Sequence, residues 1–157
     1  MKKMLICLTA LVLIAGFGVI RAEAADDTIV VTVTIENVSI EVTPSAWPIG
    51  TISAGDIATQ DPCVALNNGN VTEDLTIAIS NSSAWTAGAA AGADVFAMDF
   101  GAAGGPYNTN ITTGGVSLTS GLASGASYNF GLEFNSPSPT TDYTQQTITV
   151  TVTAAAS

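Results

Sequence analysis

Residues 127–134 of this chain, SYNFGLEF, alternate large apolar side chains with small or polar ones. Tyr128, Phe130, Leu132 and Phe134 occupy every second position. Because successive side chains of a β-strand point to opposite faces of the sheet, this stretch predicts a strand with one aromatic, buried face. Such a face must be covered by another layer, so the stretch also indicates two sheets packed on each other.

The same alternation recurs along the chain, and no segment shows an amphipathic helical repeat of useful length. Turns rich in Gly, Pro and Asn separate the alternating runs. The pattern predicts an all-β fold, an antiparallel immunoglobulin-like β-sandwich of about eight or nine strands. The predicted strands are residues 28–36, 38–43, 63–66, 71–80, 83–86, 94–100, 116–119, 127–134 and 145–153.

An Asn-Gly pair marks the strongest turn signal in the chain. Residues 67–70 read NNGN and lie between the predicted strands 63–66 and 71–80. Asn-Gly favours the tight turn of an antiparallel hairpin. We therefore expect these two strands to be neighbours in one sheet.

The first 24 residues have the layout of a secretory signal peptide. Lys2 and Lys3 precede an apolar run of roughly 17 residues, and Ala-Glu-Ala at 22–24 fits a cleavage site. The sequence predicts removal of residues 1–24 and a single β-sandwich domain over residues 25–157. An uncleaved membrane anchor is the alternative. We expect a secreted protein, extracellular, at the cell surface or in the periplasm, whose mature chain does not insert into a membrane.

The charge of the predicted mature chain excludes several classes of function. All three basic residues, Lys2, Lys3 and Arg21, precede residue 22, and the protein has no histidine. Of thirteen acidic residues only Glu23 lies in the leader, which leaves twelve and a formal side-chain charge of −12. A surface of this sign is repelled by nucleic acid and by anionic lipid, so neither is an expected partner.

The same absence of bases argues against an enzyme. A nucleophilic Ser, Thr or Cys63 would need a base to take its proton, and neither His nor Lys is available. Glu73 and Asp74 are adjacent on a predicted strand and therefore point to opposite faces, so they do not form a catalytic carboxylate pair. Cys63 lies in an apolar run, which predicts a buried and unreactive thiol.

Acidic side chains in predicted loops give two interpretations. Asp56, Asp61, Glu73 and Asp74 lie within a short span together with several Asn residues, and such oxygen ligands suit calcium. The alternative, which we prefer, is a solvated acidic rim, because the spacing does not match an EF-hand loop. No other cofactor is predicted.

Exposed aromatic residues are a common sugar-binding device in small secreted β-proteins, and Trp47, Trp85 and Tyr107 are the candidates here. A small extracellular carbohydrate-binding module is therefore the alternative function. The opposing interpretation is that both Trp side chains belong to the core.

Two terminal segments suggest a structural role instead. Residues 28–36 and 145–153 are rich in β-branched side chains and contain no Lys, the residue that most often blunts exposed strand edges. Either segment is suited to pair with the sheet of another copy or of another surface protein. The alternative is that both pair within their own domain. Because like-charged subunits repel, calcium or high salt should promote any assembly.

Residues 42–80 carry a family-like pattern: residues 42–45 (VTPS), Trp47, residues 50–52 (GTI), Gly55, residues 67–70 (NNGN) and residues 75–77 (LTI). This region, about a quarter of the chain, resembles the opening half of Hydin-type immunoglobulin-like domains and of related bacterial surface β-sandwiches. The resemblance implies a non-catalytic role. The leader, the small acidic domain and the strand-forming terminus are also similar to secreted β-sandwich proteins that polymerise into surface fibres, including the camelysin-like group.

Together these features predict a secreted, non-catalytic structural or adhesive cell-surface protein that self-assembles through strand addition.

Overall fold

The computed structural model describes residues 27–157 of the 157-residue chain. The predicted signal peptide, residues 1–24, lies outside the described residues. The chain divides into two compact units, Met1–Thr34 and Ile35–Ser157. Only residues 27–34 of the first unit are described, and all strands of the described residues lie in the second unit. The predicted single domain over residues 25–157 stays a prediction.

The fold is all-β, as the alternation predicts, with no helix between residues 27 and 157. It follows that this part of the chain has no helix long and apolar enough to cross a membrane. The strands are β1 (Ile40–Thr43), β2 (Ile57–Asn67), β3 (Glu73–Ile79), β4 (Thr86–Gly88), β5 (Val95–Ala102), β6 (Thr109–Asn110), β7 (Val116–Leu122), β8 (Ser127–Asn135) and β9 (Val150–Ala156).

The larger sheet has the strand order β1-β2-β8-β5-β4, and β6 pairs with β5 beside this path. Its pairs are antiparallel except β4 and β5, which run parallel with Thr86 opposite Val95. The Gly- and Ala-rich residues 89–94 lead the chain from the end of β4 back to a point beside its first residue. β5 therefore starts next to Thr86 and runs in the same direction as β4. The sheet is therefore mixed, where the sequence predicted antiparallel pairing throughout.

The smaller sheet has three antiparallel strands in the order β7-β3-β9. The C-terminal strand β9 pairs with β3 over seven residues, from Ile79 opposite Val150 to Glu73 opposite Ala156. Of the two terminal segments, the C-terminal one thus pairs within its own unit.

One hydrophobic cluster joins the inner faces of both sheets. Phe130, Leu132 and Phe134 of β8 are buried in it, which confirms the prediction from residues 127–134. Phe134 packs against Phe96 of β5 with ring centroids 5.8 Å apart. Aromatic rings at this distance contribute packing energy beyond the area that they bury.

The predicted hairpin around residues 67–70 is wrong. β2 pairs with β1 and β8, whereas β3 pairs with β7 and β9, so the turn carries the chain from one sheet to the other. Asn67 is buried inside this crossover, and its amide donates to the carbonyl oxygens of Val71 and Leu122 at 2.8 and 2.9 Å. These bonds satisfy backbone groups that a hairpin ladder would otherwise pair.

Several predicted strands also differ from the structure in their bounds. β4 covers Thr86–Gly88 rather than residues 83–86, and β9 covers Val150–Ala156 rather than residues 145–153. β2 begins at Ile57 rather than at residue 63, and its pairing with β8 shifts register between Gln60 and Cys63. Pro62, which has no N–H to donate, lies within this bulge. Because the proline and the bulge interrupt the alternation of apolar and polar residues, the sequence pattern does not indicate that the strand begins before residue 63. Residues 28–36 belong to no strand, and β1 starts only at Ile40.

A candidate assembly surface

Residues 28–36, which we call the N-terminal segment, expose an apolar row to solvent. Its Ile and Val side chains are between 78% and 91% exposed: Ile29, Val30, Val31, Val33 and Ile35. None of residues 27–39 is assigned to a strand. The alternation of Ile29, Val31, Val33 and Ile35 is that of a strand, yet the described residues provide no sheet for it.

The N-terminal segment is also almost uncharged. Glu36 is its only ionisable side chain, and Thr residues share the second face with Val30. An uncharged, β-branched segment with no proline has high strand propensity and no device that discourages pairing.

A group of hydrogen bonds holds the chain just after the segment. Asn70 makes three of them: its side-chain amide donates to the Ile35 carbonyl at 2.8 Å, its Oδ1 accepts the Asn37 N–H at 2.7 Å, and its own N–H donates to the Asn37 carbonyl at 2.9 Å. The N–H groups of Asn68 and Gly69 both donate to the Ser39 carbonyl. We call residues 67–70 together with residues 35–39 the asparagine clasp.

Glu73 completes the clasp from the inner face of β3. Its side chain is fully buried, and Oε1 accepts the Ser39 N–H at 2.8 Å. Within residues 27–157 its Oε2 has no hydrogen-bond partner. A Cβ added at Gly69 would overlap the Asn37 carbonyl oxygen. The close approach of residues 67–70 to residues 35–39 therefore requires glycine at position 69. The clasp therefore sets where the N-terminal segment leaves the folded unit.

The core is incompletely covered along the β9 edge of the smaller sheet. Val150, Val152 and Ala154 of β9 face inward but are only half-buried, whereas their partners Leu75 and Ile77 on β3 are fully buried. Since burial falls off across a single strand spacing, the apolar interior is open to solvent at this edge.

The same opening extends to the edge of the larger sheet. β1 and β9 approach each other, yet they do not pair. Ile40 and Val42 of β1 pack against the core but remain half-buried, although Val42 lies opposite the fully buried Ala65. We call this side, formed by the inner faces of β1 and β9, the open side.

The opposite edge of the smaller sheet is closed. Leu118 and Leu122 of β7 are buried in the core. The pairing of β7 with β3 shifts register on both sides of Leu75, whereas the pairing of β9 with β3 has no shift. Irregular pairing of this kind twists an edge strand and discourages further addition. β9 is thus the long, regular edge of the sheet, and it carries no charged residue.

The structure does not bring the four calcium candidates together. Asp56 accepts the Ser53 N–H, and Asp74 accepts the Gly121 N–H at 2.8 Å and the Ser157 hydroxyl. Glu73 is buried in the clasp. The described part of the chain has no group of three or more acidic, His or Cys side chains placed to hold a metal ion.

The fourth candidate, Asp61, belongs to a different surface. It accepts hydrogen bonds from the Tyr107 hydroxyl and the Gly104 N–H. The bond from Tyr107, and secondarily the bond from Gly104, lower the pKa of Asp61 below its ordinary value, and the bond to Asp61 raises the pKa of Tyr107. Both residues lie over Gly131 on the outer face of the larger sheet, where a Cβ would overlap the Tyr107 ring.

The three aromatic candidates for sugar binding lie in different settings. Trp47 and Trp85 are half-buried and pack against the hydrophobic core. The Trp85 indole N–H donates to the Thr140 hydroxyl at 2.9 Å. Tyr107 is the only one of the three on the outer face, and its hydroxyl is already bonded to Asp61.

Sequence reasoning missed one carboxylate pair. Asp99 of β5 lies directly opposite Glu133 of β8, and the Asn135 amide is within 3.5 Å of both carboxylates. Asn110 donates to Asp99 as well, at 3.0 Å. Sequence spacing does not reveal a pair that depends on the register of two strands far apart in the chain, and the amides explain how like charges are accommodated there.

Cys63 is buried, with 4% of its surface exposed, and is a free thiol. Desolvation, and secondarily the nearby charge of Asp61, raise the pKa of this thiol. Since the thiolate is the reactive form, these surroundings favour an unreactive cysteine, and the predicted burial is confirmed.

Comparison with known proteins yields no match: no family model, no curated protein and no solved structure corresponds significantly to this chain. The resemblance of residues 42–80 therefore depends on those residues alone.

Proposed function

We propose that this protein is an exported, non-catalytic structural subunit with an immunoglobulin-like sandwich fold, and that it self-assembles when the N-terminal segment of one copy adds as a strand to another copy. A place at the cell surface follows from the predicted leader. The observation that carries the proposal is the exposure of five Ile and Val side chains in one alternating, unpaired segment.

Assembly is favoured because the apolar row Ile29, Val31, Val33 and Ile35 is exposed to water in the single copy. Full burial of one Val or Ile side chain contributes about 1.5–3 kcal/mol. Pairing in a sheet would also satisfy the segment's backbone N–H and C=O groups. A second copy offers both, and the clasp reduces the conformational freedom of the chain where the segment ends, at residues 35–39, which lowers the entropy lost on binding.

Charge is the main opposing force. Each predicted mature chain carries twelve acidic residues and no basic side chain, so copies repel at low ionic strength. The N-terminal segment and β9 contain only one carboxylate between them, Glu36, so contact between these parts brings few charges together. Screening by salt or calcium should therefore favour assembly.

The test is assembly of the chain starting at Ala25, followed by light scattering during a calcium chloride titration and by negative-stain microscopy. We expect scattering to rise with calcium and fibres to appear. A variant with Ser in place of the four residues of the alternating row should stay monomeric: Ile29→Ser, Val31→Ser, Val33→Ser and Ile35→Ser.

The matched control replaces the other face of the same segment, with Val30→Ser, Thr32→Ser and Thr34→Ser. This variant should still form fibres, because its alternating Ile and Val row is intact. Flat scattering of the unmodified chain in both calcium and high salt, or equal assembly by all three proteins, would refute the proposal.

A further inference from the structure

We infer that the acceptor for the N-terminal segment is the free edge of β9 on the open side of a second copy. This inference rests on the proposed function and adds its partner surface. The segment would extend the smaller sheet by one strand, β7-β3-β9 plus the donated strand, and would cover the exposed part of the core.

The available edges differ in how well they suit a nine-residue strand. β4 and β6 have three and two residues, and β1 has four. Only the edge strands β7 and β9 have seven residues, and β7 pairs irregularly with β3. β9 is therefore the one long and regular edge among the strands of residues 27–157.

The apolar faces correspond in number and spacing. The N-terminal segment, which is the donor strand in this inference, presents Ile29, Val31, Val33 and Ile35 at every second position. β9 directs four residues inward at the same period, Val150, Val152, Ala154 and Ala156, of which the last is exposed and the others half-buried. A strand added beside β9 would place its own row over the half-buried Ile40 and Val42 of β1.

The small side chains at the end of β9 leave room for larger ones on the donor. Residues 154–156 are all alanine, whereas the donor row consists of Ile and Val. Interdigitation of large and small side chains is how packed cores reach native density. The charge of the two strands agrees with this pairing, because β9 has no ionisable side chain and the donor has only Glu36 at one end.

Disulfide cross-linking of mixed single-cysteine variants tests the acceptor. Thr32 lies at the middle of the N-terminal segment and Thr153 at the middle of β9. Both are exposed, and neither belongs to the apolar row of its segment. Chains carrying Thr32→Cys are mixed with chains carrying Thr153→Cys, assembled in calcium and oxidised. We expect a covalent dimer that appears only in the mixture, since neighbouring strands bring facing Cβ atoms within about 5.5 Å.

The matched control is Ser117→Cys, which is exposed on β7, the other edge of the same sheet. Mixed with Thr32→Cys it should give no dimer above the level of either variant alone. Thr34→Cys mixed with Thr151→Cys or with Ala155→Cys provides a second position, and cross-linking to either one supports the inference and gives the direction of the strand. Every variant retains Cys63, whose burial keeps it out of the reaction.

The outcomes separate the acceptor from the proposed function. If fibres depend on the alternating row but Thr32→Cys cross-links to Ser117→Cys, or to no β9 position, the acceptor is wrong and strand donation stands. If the chain with both Thr32→Cys and Thr153→Cys closes only within itself as a monomer, the segment pairs in its own copy and both proposals fail.

Discussion

The N-terminal segment and the C-terminal strand β9 have nearly the same sequence character and opposite surroundings. Residues 31–35 read VTVTI, and residues 148–152 read ITVTV. β9 pairs with β3 over seven residues and directs Val150 and Val152 toward the core. In the N-terminal segment Val31 and Val33 are about 80% exposed and unpaired. Alternation therefore shows that a segment can form a strand, whereas its partner depends on where the rest of the chain places an open edge.

The largest expected difference between the two segments comes from the same substitution at equivalent positions. Val152→Asp places a carboxylate on the inward face of β9, and we expect it to lower the free energy of unfolding by about 3 kcal/mol. Val31→Asp lies in solvent and should change the stability of the monomer by less than about 0.5 kcal/mol. Urea unfolding at low ionic strength, followed by Trp fluorescence, measures both.

Equal destabilisation by the two variants would contradict this comparison, since it would mean that the N-terminal segment is packed in the monomer. Val31→Asp should nevertheless prevent fibres, which separates an assembly defect from a folding defect.

A smaller effect is expected at the asparagine clasp. Asn70→Ala removes two side-chain hydrogen bonds, to Ile35 and Asn37, at an exposed position. We expect a loss of about 1 kcal/mol in stability and faster amide exchange at Asn37, measured by hydrogen exchange. Asn68→Ala is the control, because the Asn68 side chain makes no hydrogen bond within the described residues. If Asn70→Ala left the exchange of Asn37 unchanged, the clasp would not hold the segment.

The smallest effect is expected in the segment that precedes β9. There the hydrogen bonds are accepted by a carboxylate, Asp94, whereas in the asparagine clasp the side chain of Asn70 makes them. Asp94 accepts hydrogen bonds from the Thr141 hydroxyl and N–H and from the Thr140 hydroxyl, and these bonds lower its pKa below the ordinary 3.8. A lowered pKa in the folded state stabilises the fold above pH 3.8, and this contribution is lost as pH falls through the folded value.

We therefore expect Asp94→Asn to lower the Tm slightly at pH 7 and to have no effect at a pH below the folded-state pKa of Asp94. The Tm difference between Asn70→Ala and the unmodified chain should not follow this pH dependence. A Tm difference for Asp94→Asn that grows in acid would show that these hydrogen bonds do not favour the charged form.

Much of the architecture could be predicted from local pattern. The buried row of β8 and the burial of Cys63 are confirmed, and a strand forms where residues 94–100 predict one, with Phe96, Met98 and Phe100 buried at alternate positions of β5. Leu75 and Ile77 are buried as well, and Glu73 and Asp74 point to opposite faces, as their adjacency on one strand requires. These features depend on a period of two and need no knowledge of distant residues.

Pairing could not be predicted in the same way. The turn at residues 67–70 has hairpin chemistry, yet it crosses between sheets because the Asn67 amide satisfies carbonyl groups on both sides of the crossing. The Asp99–Glu133 pair depends on a register between strands that are distant in sequence. Both are consequences of long-range contacts, which alternation does not encode.

Composition and periodicity alone established that the chain is β-rich and acidic, with no histidine and no basic residue after Arg21, because each of these properties is a sum over residues or a local repeat. Only the tertiary structure decided that β9 is paired, that the N-terminal segment is not, and that the core is open beside β9. Those outcomes depend on which edges remain after the strands have assembled, and an edge is a property of the whole sheet rather than of any one strand.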